Sequence, residues 1–318
     1  MDVPFPDVDF RSPLTGHASA VQVVQAIDAR QLIEGYATRH KLDVAPLFAG
    51  IERLWLLRDA ETGLGFFRPL ITGDEAFYAA LAQRPGYYRP EKAEFRIAAP
   101  HIPRGARVCE VGGGVGHFSA FLDQPDYLGL EFNEAAVAQA AGHGIKMLRQ
   151  DVCDLAREQA GAFDAVCAFQ VLEHVADPLA ILEAVVALVR PGGTIVLSTP
   201  NAHGYITRCR DLLNVPPHHV TWWEDGTWRW VASRFGLTLR ALEHTPIDEM
   251  LGAWAQMVAS DGVARLLGLA LDPVVDETPQ RARIDAMAAH AARIIAAGVR
   301  HRADAPAFGH TSIAVFTR

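Results

Sequence analysis

A chain of 318 residues, half of them hydrophobic, can bury a sizeable core as one large α/β domain with an appendage or as two modest domains, and is not disordered by default. Its formal net charge of −8 and pI near 5.9 argue against a basic groove that tracks a phosphate backbone, so nucleic acid is not an expected partner. No run approaches the roughly 18 apolar residues of a membrane span, and MDVPFPDVDF lacks the basic-then-apolar order of a secretion signal; a cytoplasmic protein without a membrane partner is expected.

The spacing predicts a helix from Ser19 to Tyr36, then short strands in IERLWLLRD and LGFFRP. Helices are expected at 74–83 and 91–99, joined by RPGYYRP, before HIPRG breaks the chain. Strands then fall at 107–111, 127–131, 146–149, 163–169 and 193–199, with helices at 116–122, 133–141 and 178–189. Regular alternation means a parallel, doubly wound sheet, and apolar runs such as DAVCAF and TIVLS fit burial on both faces. After Pro200 come a loop rich in His, Pro and Trp, a helix near 225–235, a strand in LTLRALEH and an alanine-rich helical region from Asp248 to Ala297. The closing HTSIAVFTR reads as a strand that returns antiparallel to the sheet. Of the four cysteines, Cys109, Cys153 and Cys167 fall in or beside expected buried strands and Cys209 lies apart; they form no disulfide or metal pattern.

ARVCEVGGGVGHFSAFL joins a strand to a helix through a glycine-crowded turn. A dinucleotide fingerprint places its third glycine where this chain has His117. The spacing here is Glu110, Gly112, Gly114, Gly116, with Gly113 between. Such a bend lets a ligand approach the backbone and offers its amides to a zwitterionic tail. Glu110 suits an ammonium, reached through ordered water. Glu131, closing the next strand in YLGLEFN, suits a pair of ribose hydroxyls, with Phe132 after it. Asp151 in LRQDVCDL suits an adenine amino group, with Val152 against the ring.

These residues in this order resemble the class I S-adenosylmethionine-dependent methyltransferases, specifically the small-molecule branch that includes ubiquinone-biosynthesis O-methyltransferases and many sugar and natural-product enzymes. The resemblance runs from about Tyr87 to Gly236. It implies cofactor binding by Glu110, Gly112, Gly114, Glu131 and Asp151, and matches the family's EH to Glu173 and His174 and its PPHH segment to Pro216–Trp223. Gly113, Gly116, Phe132, Val152, Gln170, Tyr87 and Tyr88 complete the expected cofactor set, the tyrosines over the methionine end. The implied fold is α/β, a Rossmann-like, doubly wound, seven-stranded, mostly parallel sheet with a C-terminal antiparallel strand. Its expected parts are an N-terminal accessory region (1–85), a methyltransferase domain (86–244 and 309–318) and a helical insertion (245–308) that serves as a lid or a homodimer face.

Relatives often begin with a small zinc ribbon written C-P-x-C-G and later C-x-x-C-G-L-x-F. This chain has SPLTGHA at 12–18 and RDAETGLGFFRP at 58–69, without a cysteine. Lone His17 cannot supply four ligands, so no structural zinc is expected. The expected reaction is methyl transfer to a small-molecule acceptor, most naturally at a hydroxyl oxygen, which requires a base. His174, His218 and His219 are the candidates, with Glu173 beside the first. N-methylation of an amine, a non-catalytic cofactor-binding subunit and a dehydrogenase are the rival readings.

Overall fold

The computed structural model describes residues 9–84, 87–204, 211–247, 250–271, 274–276, 278–300 and 309–318. Cys209, Pro85, Gly86 and Asp248 lie outside the described residues. In chain order the elements are β1 (Val21–Asp28), α1 (Ala29–Gly35), β2 (Arg53–Asp59), β3 (Gly65–Arg68), α2 (Glu75–Ala82) and α3 (Ala93–Ala98). The central run is β4 (Arg107–Val111), β5 (Asp126–Leu130), α4 (Glu134–Gly142), β6 (Met147–Leu148), α5 (Val152–Glu158), β7 (Phe163–Phe169), α6 (Pro178–Leu188) and β8 (Val189–Pro200). There follow β9 (Thr221–Trp222), α7 (Asp225–Phe235), β10 (Thr238–His244), α8 (Leu251–Leu266), α9 (Pro279–Arg300) and β11 (Thr311–Thr317). None of the helices among the described residues is long and apolar enough to cross a membrane.

The chain divides into two compact units. One comprises Met1–Asp74, Asn201–Trp222 and Pro246–His310; the other comprises Glu75–Pro200, Trp223–Thr245 and Thr311–Arg318. The first unit holds a four-stranded antiparallel sheet in the order β1-β2-β3-β9. The helix expected over 19–36 is corrected: VQVVQAID is a strand, and only Ala29–Gly35 is α-helical. Three valines and an isoleucine lose side-chain freedom in a helix and fit a pleated strand, and β2 supplies the pairing partner. The alanine-rich helical region consists of two helices packed through Ala255, Ala259, Ala288 and Ala292. Ser260 Oγ donates to Asp285 Oδ1 (2.8 Å) across that contact, and Arg281 Nε meets the same oxygen at 3.0 Å.

The second unit holds seven strands in the order β10-β11-β8-β7-β4-β5-β6. Strands β8, β7, β4, β5 and β6 are mutually parallel, and β11 runs antiparallel to both its neighbours. Both expectations, a mostly parallel doubly wound sheet and a returning final strand, hold here. From β4 the chain moves outward through β5 and β6, then re-enters on the other side through β7 and β8. The carboxyl ends of β4 and β7 therefore flank the switch point, where ligands of open α/β sheets bind. Below it, Val108, Phe118, Ala165, Cys167, Val196 and Ile313 form part of one buried cluster.

Two local expectations change. The helix over 116–122 is a single 3₁₀ segment, His117–Phe121, so the bend has no α-helix dipole behind it. Helix α5 was not foreseen: Asp151 caps it by accepting from Cys153 N–H (2.7 Å), but seven residues are too few for a periodic signal.

Candidate active site

Strand β4 ends at Val111 and the chain turns through Gly112, Gly114 and Gly116, all at positive φ (68°, 57° and 81°). The N–H of Gly114 donates to Glu131 Oε2 (3.0 Å), while the other oxygen, Oε1, accepts from Asn133 N–H (2.8 Å). Asn133 Oδ1 caps α4 by accepting from Ala135 and Ala136, and its Nδ2 donates to Tyr88 Oη (3.1 Å). Tyr88 in turn lies against Gly114, where a Cβ would meet its ring at 2.9 Å. Bend, rim acid, cap and phenol thus form one closed set. Tyr87 stands edge-on to Tyr88 with ring centroids 5.0 Å apart, and burial pushes both phenols up, so both keep their protons. Phe132 presents its ring to solvent, 62% exposed, beside Glu131.

Glu110 is turned the other way. Its carboxyl is buried beneath the bend, and Tyr127 Oη donates to Oε2. Burial pushes it from 4.5 up to about 8, with the Tyr127 bond and Lys92 pulling in the opposite direction. Between those two values the unfolded chain gives up a proton that the folded chain keeps. The stability this group contributes is therefore complete below about 4.5 and is lost as pH rises through about 8. Replacing Glu110 with Gln should remove that slope. In urea melts the advantage of wild type over the variant is expected to shrink steadily from pH 5 to pH 8, and a constant difference would mean the acid is ionised in the fold.

Toward β7, Gln170 sits at φ 57° and donates from Nε2 to Glu94 Oε2 (3.0 Å). Ser198 Oγ donates to the same oxygen (3.2 Å), and Lys92 Nζ lies 3.5 Å from Oε1. Glu173 is fully buried, neither carboxyl oxygen has a hydrogen-bond partner among the described residues, and burial pushes its pKa well up. Its Oε1 is 3.8 Å from His174 Nε2, too far for a hydrogen bond. The Tyr78 ring stands edge-on to His174 at 6.0 Å. Asp151 is the α5 cap and Val152 is buried behind it.

His218 and His219 belong to the other unit, stacked with ring centroids 4.5 Å apart. His218 Nδ1 is 2.8 Å from the Leu213 carbonyl, and His219 Nδ1 is 3.0 Å from Asn214 Oδ1. Those oxygens only accept, so each Nδ1 carries a proton, and the neutral tautomer this fixes is the one with its lone pair on Nε2, the form a general base needs.

Four residues of this rim escaped the sequence reading. Asn133 had a legible signal, an N-cap side chain directly before a helix. Tyr127 and Glu94 had none, because their hydrogen-bond partners lie on other strands and loops, and Lys92, whose partner Glu94 is two residues along, reads as an ordinary exposed ion pair.

An adenosyl amino acid needs amides for its carboxylate, an acid for its ribose and an apolar surface for its base. Glu131 and Phe132 fit the last two needs, and the glycine bend lets the tail come close to the backbone, where the N–H groups of Gly113, Gly114 and Gly116 already donate to the Leu130 carbonyl, Glu131 and the Gly113 carbonyl. Glu131 already accepts two N–H bonds, but a carboxylate has about four acceptor sites and can take two hydroxyls as well. Strand order, switch-point bend and rim acid together define the class I S-adenosylmethionine-dependent methyltransferase fold. The Methyltransf_23 model, described as a methyltransferase domain, matches residues 81–242, just over half of the chain, and the chain belongs to this family.

Among curated proteins it is similar to the ubiquinone biosynthesis O-methyltransferase of Xanthomonas campestris pv. campestris (strain B100), 38% identical over 120 residues, covering 35% of this chain and 50% of that one. The enzyme of the same name from Bordetella avium (strain 197N) is 38% identical over 158 residues, covering 42% and 64%. The chain thus spans about half the length of the first curated relatives it matches. A solved S-adenosylmethionine-dependent methyltransferase from Archaeoglobus fulgidus aligns with 77% of this chain and 100% of its own, at TM-score 0.47 and 15% identity.

Proposed function

We propose that this chain methylates a hydroxyl oxygen of a small-molecule acceptor with S-adenosylmethionine as donor. The observation that carries the reading is the Glu131 carboxylate, fastened by Gly114 N–H and Asn133 N–H at the glycine bend. The O-methyltransferase name of the curated relatives supports oxygen as the acceptor atom. When bound, the cofactor supplies an electrophilic methyl group on a sulfonium. Glu131 holds the ribose, Asp151 and Val152 hold the adenine, and the amino-acid tail lies close against the backbone of the Gly112–Gly116 bend. Tyr87 and Tyr88, kept protonated, present aromatic faces and neutral hydroxyls, which suit a sulfonium better than water does. A neutral imidazole among His174, His218 and His219 takes the hydroxyl proton, a contribution of roughly 10²- to 10⁴-fold.

Calorimetry with S-adenosylhomocysteine and NAD, followed by turnover with phenols, aliphatic alcohols and amines, tests the reading. Binding of S-adenosylhomocysteine alone, with methyl ethers as products, is expected. The variants H174Q, H218Q and H219Q should single out the base by a kcat loss of about 10²-fold or more at neutral pH. Tight NAD binding without S-adenosylhomocysteine would refute the cofactor. Methylated amines as sole products, with rates indifferent to all three substitutions, would move the acceptor atom to nitrogen.

A further inference from the structure

Two turns in the first unit are built on one plan. In 12–17 and in 59–64 the N–H of the first residue donates to the carbonyl of the sixth: Ser12 to His17 and Asp59 to Leu64, both at 2.9 Å. The glycine in fifth place donates back to the first carbonyl, Gly16 to Ser12 at 2.9 Å and Gly63 to Asp59 at 2.8 Å. Each glycine sits at positive φ, 71° and 79°, which the tightness of the turn requires. The first side chain accepts from the third N–H: Leu14 to Ser12 Oγ (3.3 Å) and Glu61 to Asp59 Oδ1 (2.9 Å). The threonine in fourth place accepts from the sixth N–H: His17 to Thr15 Oγ1 (3.2 Å) and Leu64 to Thr62 Oγ1 (3.1 Å). Ser12, Asp59 and Thr62 are buried at 2%, 1% and 1% exposure.

The turns are neighbours. The pairing of β1 with β2 ends at Val21 opposite Asp59, Ala60 N–H donates to the Ala20 carbonyl (2.9 Å), and His17 Nδ1 lies 3.9 Å from Glu61 Oε2. Two side-by-side turns, each offering side chains at positions i and i+3, are the arrangement by which two C-x₂-C pairs enclose a zinc ion. The residues present do not fit that metal. Serine and threonine hydroxyls stay protonated, and of the four buried or half-buried positions only Asp59 offers an anion.

We infer that Ser12, Thr15, Asp59 and Thr62 stand where four thiolates would grip a metal, and that hydrogen bonds to their oxygen atoms keep both turns closed in its place. The thiolate sulfurs of such a site would accept the same four amide protons. Oxygen therefore preserves the turn without the ion, and Thr62 Oγ1 adds a bond of its own by donating to Asp59 Oδ2 (3.0 Å). The module is metal-independent, and four substitutions convert it to a metal site.

Cobalt(II) is the probe. The full chain carrying S12C/T15C/D59C/T62C, reduced and titrated, should take up one equivalent with the visible bands of tetrahedral cobalt thiolate. The unsubstituted chain should take up none, and its melting should be indifferent to chelator. A folded variant that ignores cobalt would overturn the inference, as would stoichiometric zinc in the chelator-washed unsubstituted chain. Should the quadruple variant not fold, T62V decides. Loss of two buried hydrogen bonds should lower the midpoint by roughly 3–10 °C, and an unchanged midpoint would mean the threonine does not clasp its turn.

Discussion

Substituting Glu131 with Ala is expected to weaken S-adenosylhomocysteine binding by roughly 10- to 150-fold, the worth of about 1.5–3 kcal/mol for hydrogen bonds to a charged acceptor. The side chain directly follows β5 at the rim and is oriented before any ligand arrives, because Gly114 N–H and Asn133 N–H fix its two oxygens separately. Glu131→Gln keeps the shape and one acceptor oxygen but not the charge, and should fall between the two. The site is half-buried, so water can replace the lost acceptor for both amides, and the melting midpoint should move little. Calorimetry beside a thermal melt separates these effects. Unchanged affinity would remove Glu131 from the ribose and with it the assignment of the rim.

Exchanging Gly114 for Ala should cost more than its one methyl suggests. At φ 57° an L-residue is strained by roughly 1–2 kcal/mol, and its Cβ would meet Tyr88 Cδ1 and Cε1 at 2.9 and 3.0 Å. The ring cannot yield freely, because Asn133 Nδ2 holds its hydroxyl. Either the bend leaves Glu131 or Tyr88 leaves Asn133, and cofactor affinity should drop by at least ~10-fold with a lower melting midpoint. Introducing Tyr88→Ala relieves the contact but not the backbone strain. Gly114→Ala should therefore do less harm in that background than in the wild type, a coupling read from a double-mutant cycle. Additive effects would mean that ring and bend do not touch.

What the sequence discloses follows the range of the forces involved. Strands 107–111 and 163–169 were legible to the residue, because short β-prone, mostly apolar segments bounded by turn residues describe burial on both faces. β1 was not: its valines satisfy a helical spacing as well as a strand, and pairing with β2 decides the matter. The bend and Glu131 were legible as a set through spacing alone, but their mutual bond depends on the parallel register. So does the partner of Glu110. Register puts Tyr127 opposite Val108 and Gly129 opposite Glu110, so no side chain stands between the phenol and the acid. No local pattern records that vacancy. The tie between Gln170 and Glu94 is equally silent, because a buried carboxylate on a six-residue helix reads in sequence as an exposed one.

The seating of β11 inside the sheet has a consequence for biosynthesis. The N–H and C=O groups of Thr194–Pro200 that face β11 have no partner until Thr311–Thr317 has emerged from the ribosome, after the whole of 201–310 has been made. For that interval the nascent chain displays an open apolar strand, the kind of template on which unrelated chains coalesce. Fragments stopping short of Thr311 should therefore precipitate rather than fold, and a heat-shock chaperone that shields the waiting edge should raise the yield of the full chain.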